Sequence, residues 1–291
     1  MNSLSGVFLL SVRPSREIAS SIFVSHSLRV IRQTFDELAG SAEVDTTSRI
    51  LKIKHPVTNQ AVEVSTIYFR AGYTPIDYPS QTQFDTRLLL ERSRAIKCPT
   101  IQLQLAGGKK VQQVLTKPGV LESFLLDRTR WEGPDFTEND VALLRDSWMG
   151  MWSLDEDGDW GMAKARSAAD KVVLKPQREG GGNNIYRSSI PGFLDALPTA
   201  EREAWIAMEL IETPKGVENY LVRAGSGSRG AVKTETISEL GIFSWALFGP
   251  GTKKMNHEEA GWLVRTKGKD SDEGGVATGF SVLDSLLLVD E

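Results

Sequence analysis

Residues 175–186 read KPQREGGGNNIY and gather the side chains best suited to chemistry on a charged ligand. Lys175 closes an apolar run, KVVLK, and brings a positive charge that suits polyphosphate. Arg178 adds a second cation, and Glu179 offers a carboxylate to a hard cation such as Mg²⁺, which prefers oxygen ligands and bridges phosphates. Gly180, Gly181 and Gly182 have no side chains to keep an anion away, and their N–H groups can turn inward as a nest. Asn183 and Asn184 contribute amide donors and acceptors, and Tyr186 a ring able to pack on a base or ribose. The stretch therefore reads as a nucleotide–magnesium site. The plainer reading is a mobile surface loop, which three glycines alone would favour. The charges at a strand end weigh against it. The spacing matches neither a Walker A loop nor the glycine-rich loop of protein kinases.

Other fragments carry less. GSGSRG, residues 225–230, fits G-x-G-x-x-G letter by letter. A dinucleotide fingerprint needs a helix after it, and the next residues, AVKTETISEL, are β-branched and strand-like. A helix after Gly230 would support an oxidoreductase; a strand removes that reading. DEDGD, residues 155–159, lacks the alternating ligands of an EF-hand and reads as a solvated loop. Cys98 is the only cysteine, which excludes an intramolecular disulfide and a cysteine zinc cluster, and it reads as a small buried residue. His26, His55 and His257 lie too far apart in sequence for paired metal ligation. A net charge of −4 gives no basic signature for nucleic acid. No apolar run approaches the roughly 18 residues of a membrane helix. GVFLLSV, at residues 6–12, has no basic residue before it and reads as a poorly ordered N-terminus rather than a signal core.

These residues need elements to hold them. Leu28–Thr34 reads as a short buried strand, after which Thr34 and Glu37 form a T-x-x-E capping box that opens a helix. Residues 50–54 and 61–69 read as a hairpin around HPVTNQ, followed by the polar loop RAGYTPIDYPS and a helix over 84–95. Alternation over IQLQL predicts a strand at 101–105, then a Gly-Gly turn and a helix. The segment 116–169 is mostly helical, with a cap at Thr137. Lys171–Lys175 is a strand. Residues 205–211, 220–223, 231–237 and 242–248 form an antiparallel meander, residues 262–266 a further strand, and SVLDSLLL a closing helix. A composition shift near Lys109 marks a domain boundary. The expected fold is α/β: a parallel-strand domain, then a portion with an antiparallel sheet and glycine-rich loops.

KPQREGGGNN resembles the glycine-rich signature of eukaryotic glutathione synthetase, a family of ATP-grasp ligases. YFRAGY, LLLERSRAIKCP, QLAGGKKVQQVL, ISELGIF, RTK and DEGGVATG are similar to segments of the same family, in the same order, from about Leu28 onward. The resemblance implies that γ-glutamylcysteine and glycine are joined with ATP and Mg²⁺ through an acyl phosphate. It also implies roles for individual residues. Lys109, Lys175, Gly180, Gly181, Gly182, Asn183, Asn184, Tyr186, Lys267 and Glu273 would contact ATP, and Glu179 would bind Mg²⁺. Met208, Glu209, Leu210 and Ile211 would form the adenine edge, although a core strand fits those four equally. Glu239 would reach the ribose or base. Arg70, Ala71, Gly72 and Tyr73 would clamp the dipeptide. Arg265 would meet a substrate carboxylate, where a bidentate guanidinium is apt. Val276 and Ala277 would form a second small-residue lid. Lys175 and Arg265 are the expected catalytic pair.

Two positions depart from the family pattern: Ala71 and Glu273 each stand where Asp is frequent. Residues 1–26 look like no family segment, and the family's chains extend further at the N-terminus, where more magnesium ligands and much of the γ-glutamyl pocket reside. The expected divisions are an atypical 1–26, a substrate-binding 27–108 and an ATP-binding 109–291. Reduced ligase activity is expected for the chain alone, and a non-catalytic nucleotide-binding or interaction module is the alternative. The family implies a cytoplasmic homodimer, with no nucleic-acid or membrane partner.

Overall fold

The computed structural model describes residues 6–10, 29–129, 135–155, 160–177, 182–221, 231–249, 255–272 and 281–285. Its backbone contacts fall into two units, Met1–Gly108 and Lys109–Glu291.

In the first unit β1 (Gly6–Leu10) pairs in parallel with β2 (Arg29–Gln33). The run GVFLL is thus a sheet strand rather than a disordered terminus. Thr34 then caps α1 (Phe35–Ala39): its hydroxyl accepts from Glu37 N–H at 3.2 Å, and the Glu37 carboxylate accepts from Thr34 N–H at 2.6 Å. β3 (Ala42–Val44), β4 (Leu51–Lys54) and β5 (Ala61–Val64) make an antiparallel sheet. Leu51, Ile53, Val62 and Val64 face inward, while Lys52, Lys54 and Glu63 alternate outward.

The run at 61–69 is not one strand. After Ser65 it continues as β6 (Thr66–Phe69), which joins the other sheet beside β1. α2 (Gln81–Arg92) leads to β7 (Ile96–Cys98), completing a parallel sheet of order β2-β1-β6-β7, with Cys98 exposed at the strand end rather than buried as expected. The predicted strand at 101–105 is instead α3 (Ile101–Ala106). The Thr100 hydroxyl accepts from Leu103 N–H at 3.3 Å, and Glu91 of α2 accepts from Ile101 N–H at 3.0 Å. These partners satisfy N–H groups that a helix start leaves open, and they outweigh the period-2 pattern. Ile31, Phe35, Leu38, Leu51, Ile53, Ile67 and Leu90 form the core.

The second unit opens with α4 (Lys109–Leu115), α5 (Val120–Leu125) and α6 (Glu138–Asp146), the last capped by Thr137. Next come β8 (Met151–Ser153), α7 (Trp160–Ser167), β9 (Val172–Pro176), β10 (Ile185–Tyr186), α8 (Ser189–Ala196) and β11 (Trp205–Glu209). The sheet is antiparallel throughout, in the order β10-β9-β11-β8. Leu154, Met162, Ala165, Leu174, Ile190, Leu194 and Ala207 pack beneath it. A Cβ on Gly161 would stand 1.7 Å from the Ser153 carbonyl oxygen, so glycine alone lets α7 approach β8 this closely.

β12 (Glu218–Leu221), β13 (Val232–Leu247), β14 (Asn256–Gly268) and β15 (Val282–Asp284) form a separate antiparallel sheet. The two strands expected at 231–237 and 242–248 are one, because Gly241 stays in the ladder opposite Leu263. The expected closing helix begins as β15, whose Asp284 carboxylate accepts from the Thr266 hydroxyl at 2.7 Å. The far half of the β13–β14 ribbon carries exposed Leu240, Ile242, Phe243, Trp245, Leu247 and Trp262. Among the described residues no helix is long and apolar enough to cross a membrane.

Candidate functional site

β9 and β10 are the two arms of a hairpin, with Leu174 opposite Ile185 and Val173 opposite Tyr186. The glycine-rich stretch is its connection. Of that stretch, Arg178, Glu179, Gly180 and Gly181 lie outside the described residues. Gly182 takes the left-handed conformation, φ +87°, which glycine adopts without strain. Lys175 is half-buried on β9, directly opposite Ile206 of β11. Asn184 Nδ2 donates to Tyr186 Oη at 3.0 Å, and that hydroxyl donates to the Asp272 carbonyl at 3.3 Å. Lys267 Nζ reaches the same carbonyl at 3.2 Å, and Arg187 Nη1 lies 2.7 Å and 2.8 Å from the two Asp272 carboxylate oxygens. Residues 184–187 and 267–272, far apart in sequence, thus meet beside a cleft of about 370 Å³ lined by Asn184, Tyr186, Arg187, Ser188, Ser189 and Asp272.

β11 shows where a core strand becomes something else. Ile206 and Ala207 are fully buried, but Met208 is half-buried, Glu209 is exposed and Ile211 is 71% exposed. The strand ends at Glu209, whose N–H donates to the Gly150 carbonyl at 2.8 Å, and Leu210 N–H donates to the Lys171 carbonyl at 2.8 Å. From Ile206, the partner of Lys175, four residues to Leu210 cover roughly 13 Å at about 3.3 Å per residue. That separation suits a ligand with phosphates at one end and a base at the other.

On the second sheet Glu239 stands opposite Arg265, and the two form a cross-strand ion pair. Lys267 lies two residues along β14, on the same face as Arg265. Three residues assigned to ligand contact thus share one surface, with the Arg265 charge held by Glu239. Glu273, Val276 and Ala277 lie outside the described residues.

In the first unit RAGY is a turn built around one carboxylate. Asp77 Oδ2 accepts from the N–H groups of Gly72, Tyr73 and Thr74 at 3.1, 3.2 and 3.1 Å, and from the Thr74 hydroxyl at 2.9 Å. Tyr78 Oη and Gln104 Nε2 both donate to the Gly72 carbonyl at 2.8 Å. Ala71 and Gly72 are buried, while Arg70 and Tyr73 are exposed. The turn thus presents the cation and the phenol outward and keeps the small residues inside. The T-x-x-D spacing of Thr74 and Asp77 was the available sequence signal.

A second group has no signal in the sequence. Lys110 Nζ donates to Ser153 Oγ and to Asp155 Oδ1, and Ser153 Oγ donates to Asp155 Oδ1. Lys110 N–H donates to Gln177 Oε1 at 2.8 Å. Partial burial pushes the Asp155 carboxyl up, but the hydrogen bonds from Lys110 and Ser153 outweigh it and hold the carboxyl below its ordinary range. Neighbouring Lys109 has a long contact, 3.4 Å, with Gln112 Oε1.

Mg²⁺ needs a set of oxygen donors. Among the described residues no group of three or more acidic, histidine or cysteine side chains converges. Asp272 is engaged by Arg187 and Glu239 by Arg265. Glu179, the carboxylate expected to hold the ion, lies outside the described residues.

Residues 11–288 match the family model for the ATP-binding domain of eukaryotic glutathione synthase. The chain belongs to that family. Its match begins at residue 11, inside the stretch that looked atypical. The chain is 43% identical over 275 residues to the chloroplastic glutathione synthetase of Solanum lycopersicum, covering 94% of this chain and 46% of that protein. It is 43% identical over 265 residues to the glutathione synthetase of Homo sapiens, covering 90% and 51% respectively. It therefore spans about half the length of the curated relatives it matches. A glutathione synthetase-like effector from Globodera pallida, solved in its apo form, shares the fold with a TM-score of 0.66 at 20% identity, over 99% of this chain and 57% of that one. The strand after Gly230 excludes a dinucleotide fingerprint at GSGSRG, whose own residues lie outside the described ones.

Proposed function

We propose that this chain forms the nucleotide-binding part of an ATP-dependent ligase that joins γ-glutamylcysteine to glycine. One observation carries the reading: in a chain of the glutathione synthase family, Lys175 stands beside β11, about a nucleotide's length from the strand end at 208–211. The dipeptide's cysteinyl carboxylate oxygen attacks the γ-phosphorus of ATP, and ADP leaves. The neutral amine of glycine then attacks the acyl carbon, phosphate leaves with the bond electrons, and the amine proton passes to solvent. The protein's part is to position the reactants and to neutralise charge. Lys175, Lys109 and Lys267 hold phosphates; Asn183, Asn184, Tyr186 and Gly180–Gly182 complete that side. Residues 208–211 meet the base, and Glu239 the ribose or base. Arg265 holds a substrate carboxylate once it exchanges Glu239 for it. Arg70 and Tyr73 hold the dipeptide, and Val276 and Ala277 cover it. Mg²⁺ supplies charge neutralisation on the phosphates, with Glu179 as its protein ligand.

A second reading is nucleotide binding without turnover, since the chain spans about half the length of the relatives it matches. ADP release by the purified chain, measured with and without Mg²⁺, γ-glutamylcysteine and glycine, separates the two. Release that needs all three supports the ligase; ATP binding without release supports the module; no ATP binding overturns both. Lys175→Ala is expected to weaken ATP binding about tenfold or more, the loss of a charge-assisted contact. A cytoplasmic homodimer is the expectation from the family resemblance, and light scattering tests the oligomeric state.

A further inference from the structure

The second unit contains a polar cluster that no expected ligand contact uses. Lys110, Ser153 and Asp155 close on one another, and the Lys110 backbone is tied to Gln177. Gln177 is two residues past Lys175 on the same stretch of chain. The first turn of α4 is therefore fastened at two points, to the end of β8 and to the stem of the glycine-rich connection. Ser153 is buried and the other two charged partners are about two-thirds covered, with side-chain exposures of 30% for Lys110 and 32% for Asp155. The Lys110 charge is engaged by Asp155.

Helix geometry gives this fastening a direction. Successive residues point about 100° apart around a helix of 3.6 residues per turn. Lys110 and Gln113 share one face, and the burial of Gln113 marks it as the inward face. Lys109 and Gln112 share the neighbouring face, and their contact at 3.4 Å holds the Lys109 ammonium loosely. We propose that Lys110 is a positioning residue: pinned to Ser153, Asp155 and Gln177, it fixes the rotation of α4 so that Lys109 is aimed at the same polyphosphate as Lys175. The inference rests on the nucleotide-binding reading of the site.

Titration calorimetry with two probes, ATP and adenosine, tests it on the full chain. Lys109→Met is expected to weaken ATP about tenfold, as for loss of a charged contact, and to leave adenosine unchanged. Lys110→Met is expected to weaken ATP by less than Lys109→Met, again sparing adenosine. The double variant should bind ATP no more weakly than Lys109→Met, because Lys110 acts only through Lys109. Lys110→Arg should recover most of the affinity, since a guanidinium can also reach Asp155. Additive losses, or an equal loss for adenosine, would overturn the positioning role. Unchanged ATP affinity in Lys109→Met would also overturn it while leaving the nucleotide site standing. Absence of ATP binding to the unaltered chain would sink the site itself. Asp155→Asn keeps the shape of the cluster and removes the charge, and it must reproduce Lys110→Met if that variant folds poorly.

Discussion

Gly72 sits at φ +84°, and a Cβ there would lie 2.9 Å from the Phe35 ring and 3.1 Å from the Tyr78 hydroxyl. Gly72→Ala should lower stability by about 1–3 kcal/mol through strain at a left-handed position. Urea denaturation reads this, and an unchanged midpoint would contradict it. A different residue effect concerns pH. Arg145 binds both oxygens of Glu122, at 2.8 and 2.7 Å, and also donates to the carbonyls of Thr116 and Lys117. The hydrogen bonds from Arg145 pull the Glu122 carboxyl from its ordinary 4.5 to about 2. A depressed carboxylate stabilises the fold fully above its unfolded value and loses that contribution as pH falls toward the folded one. Melting temperatures of the unaltered chain should therefore fall more steeply between pH 4.5 and about 2 than those of Glu122→Gln. Some of this was legible in sequence. Thr34 and Glu37 announce their capping box because both partners lie within one turn. Lys110 and Asp155 announce nothing, because 45 residues separate them and each alone resembles any surface charge.

At the scale of elements, IQLQL misled because alternation is a statement about one face, while the helix there is settled by Thr100 and by Glu91 from another element. RAGY read correctly as a loop; the T-x-x-D spacing hints at Asp77, but that its carboxylate gathers the N–H groups of Gly72 and Tyr73 as well needed the fold to be seen. β9 and β11 were legible as strands from their β-branched and apolar runs; that they are neighbours, so that Lys175 and residues 208–211 share one sheet, was not. The β13–β14 ribbon differs from both. Its far half exposes large apolar side chains and, among the described residues, is two strands wide, since β12 pairs with residues 232–235 and β15 with residues 264–266. A two-stranded ribbon holds its hydrogen bonds weakly. Amides of residues 240–247 should exchange with deuterium well before those of residues 172–176 and 205–209. Comparable protection in the two groups would mean that the ribbon is covered in solution.

For the whole molecule, the two units carry the two expected halves of the chemistry, Arg70 and Tyr73 in one and Lys175, Lys267 and Arg265 in the other. The proposed division of labour has a thermodynamic consequence. ATP at a hundredfold excess over its dissociation constant should stabilise the unit that binds it by about 2.7 kcal/mol. Hydrogen exchange with and without ATP should show that gain within residues 109–291. An equal gain throughout residues 29–108 would argue against assigning the nucleotide to the second unit. The sorting of the described strands into four sheets left no trace in the sequence, because sheet membership depends on partners remote in sequence.

Ser65 is the whole connection between β5 of the antiparallel sheet and β6 of the parallel sheet, and its carbonyl is itself held by Ile96 N–H at 2.9 Å. A joint of one residue has no slack. A joint this short ties the start of β6 to the end of β5, and the RAGY turn starts where β6 stops. Chain-length change at this point would be felt at once at Arg70 and Tyr73, whereas the HPVTNQ hairpin tip, at the opposite end of β5, can lengthen freely.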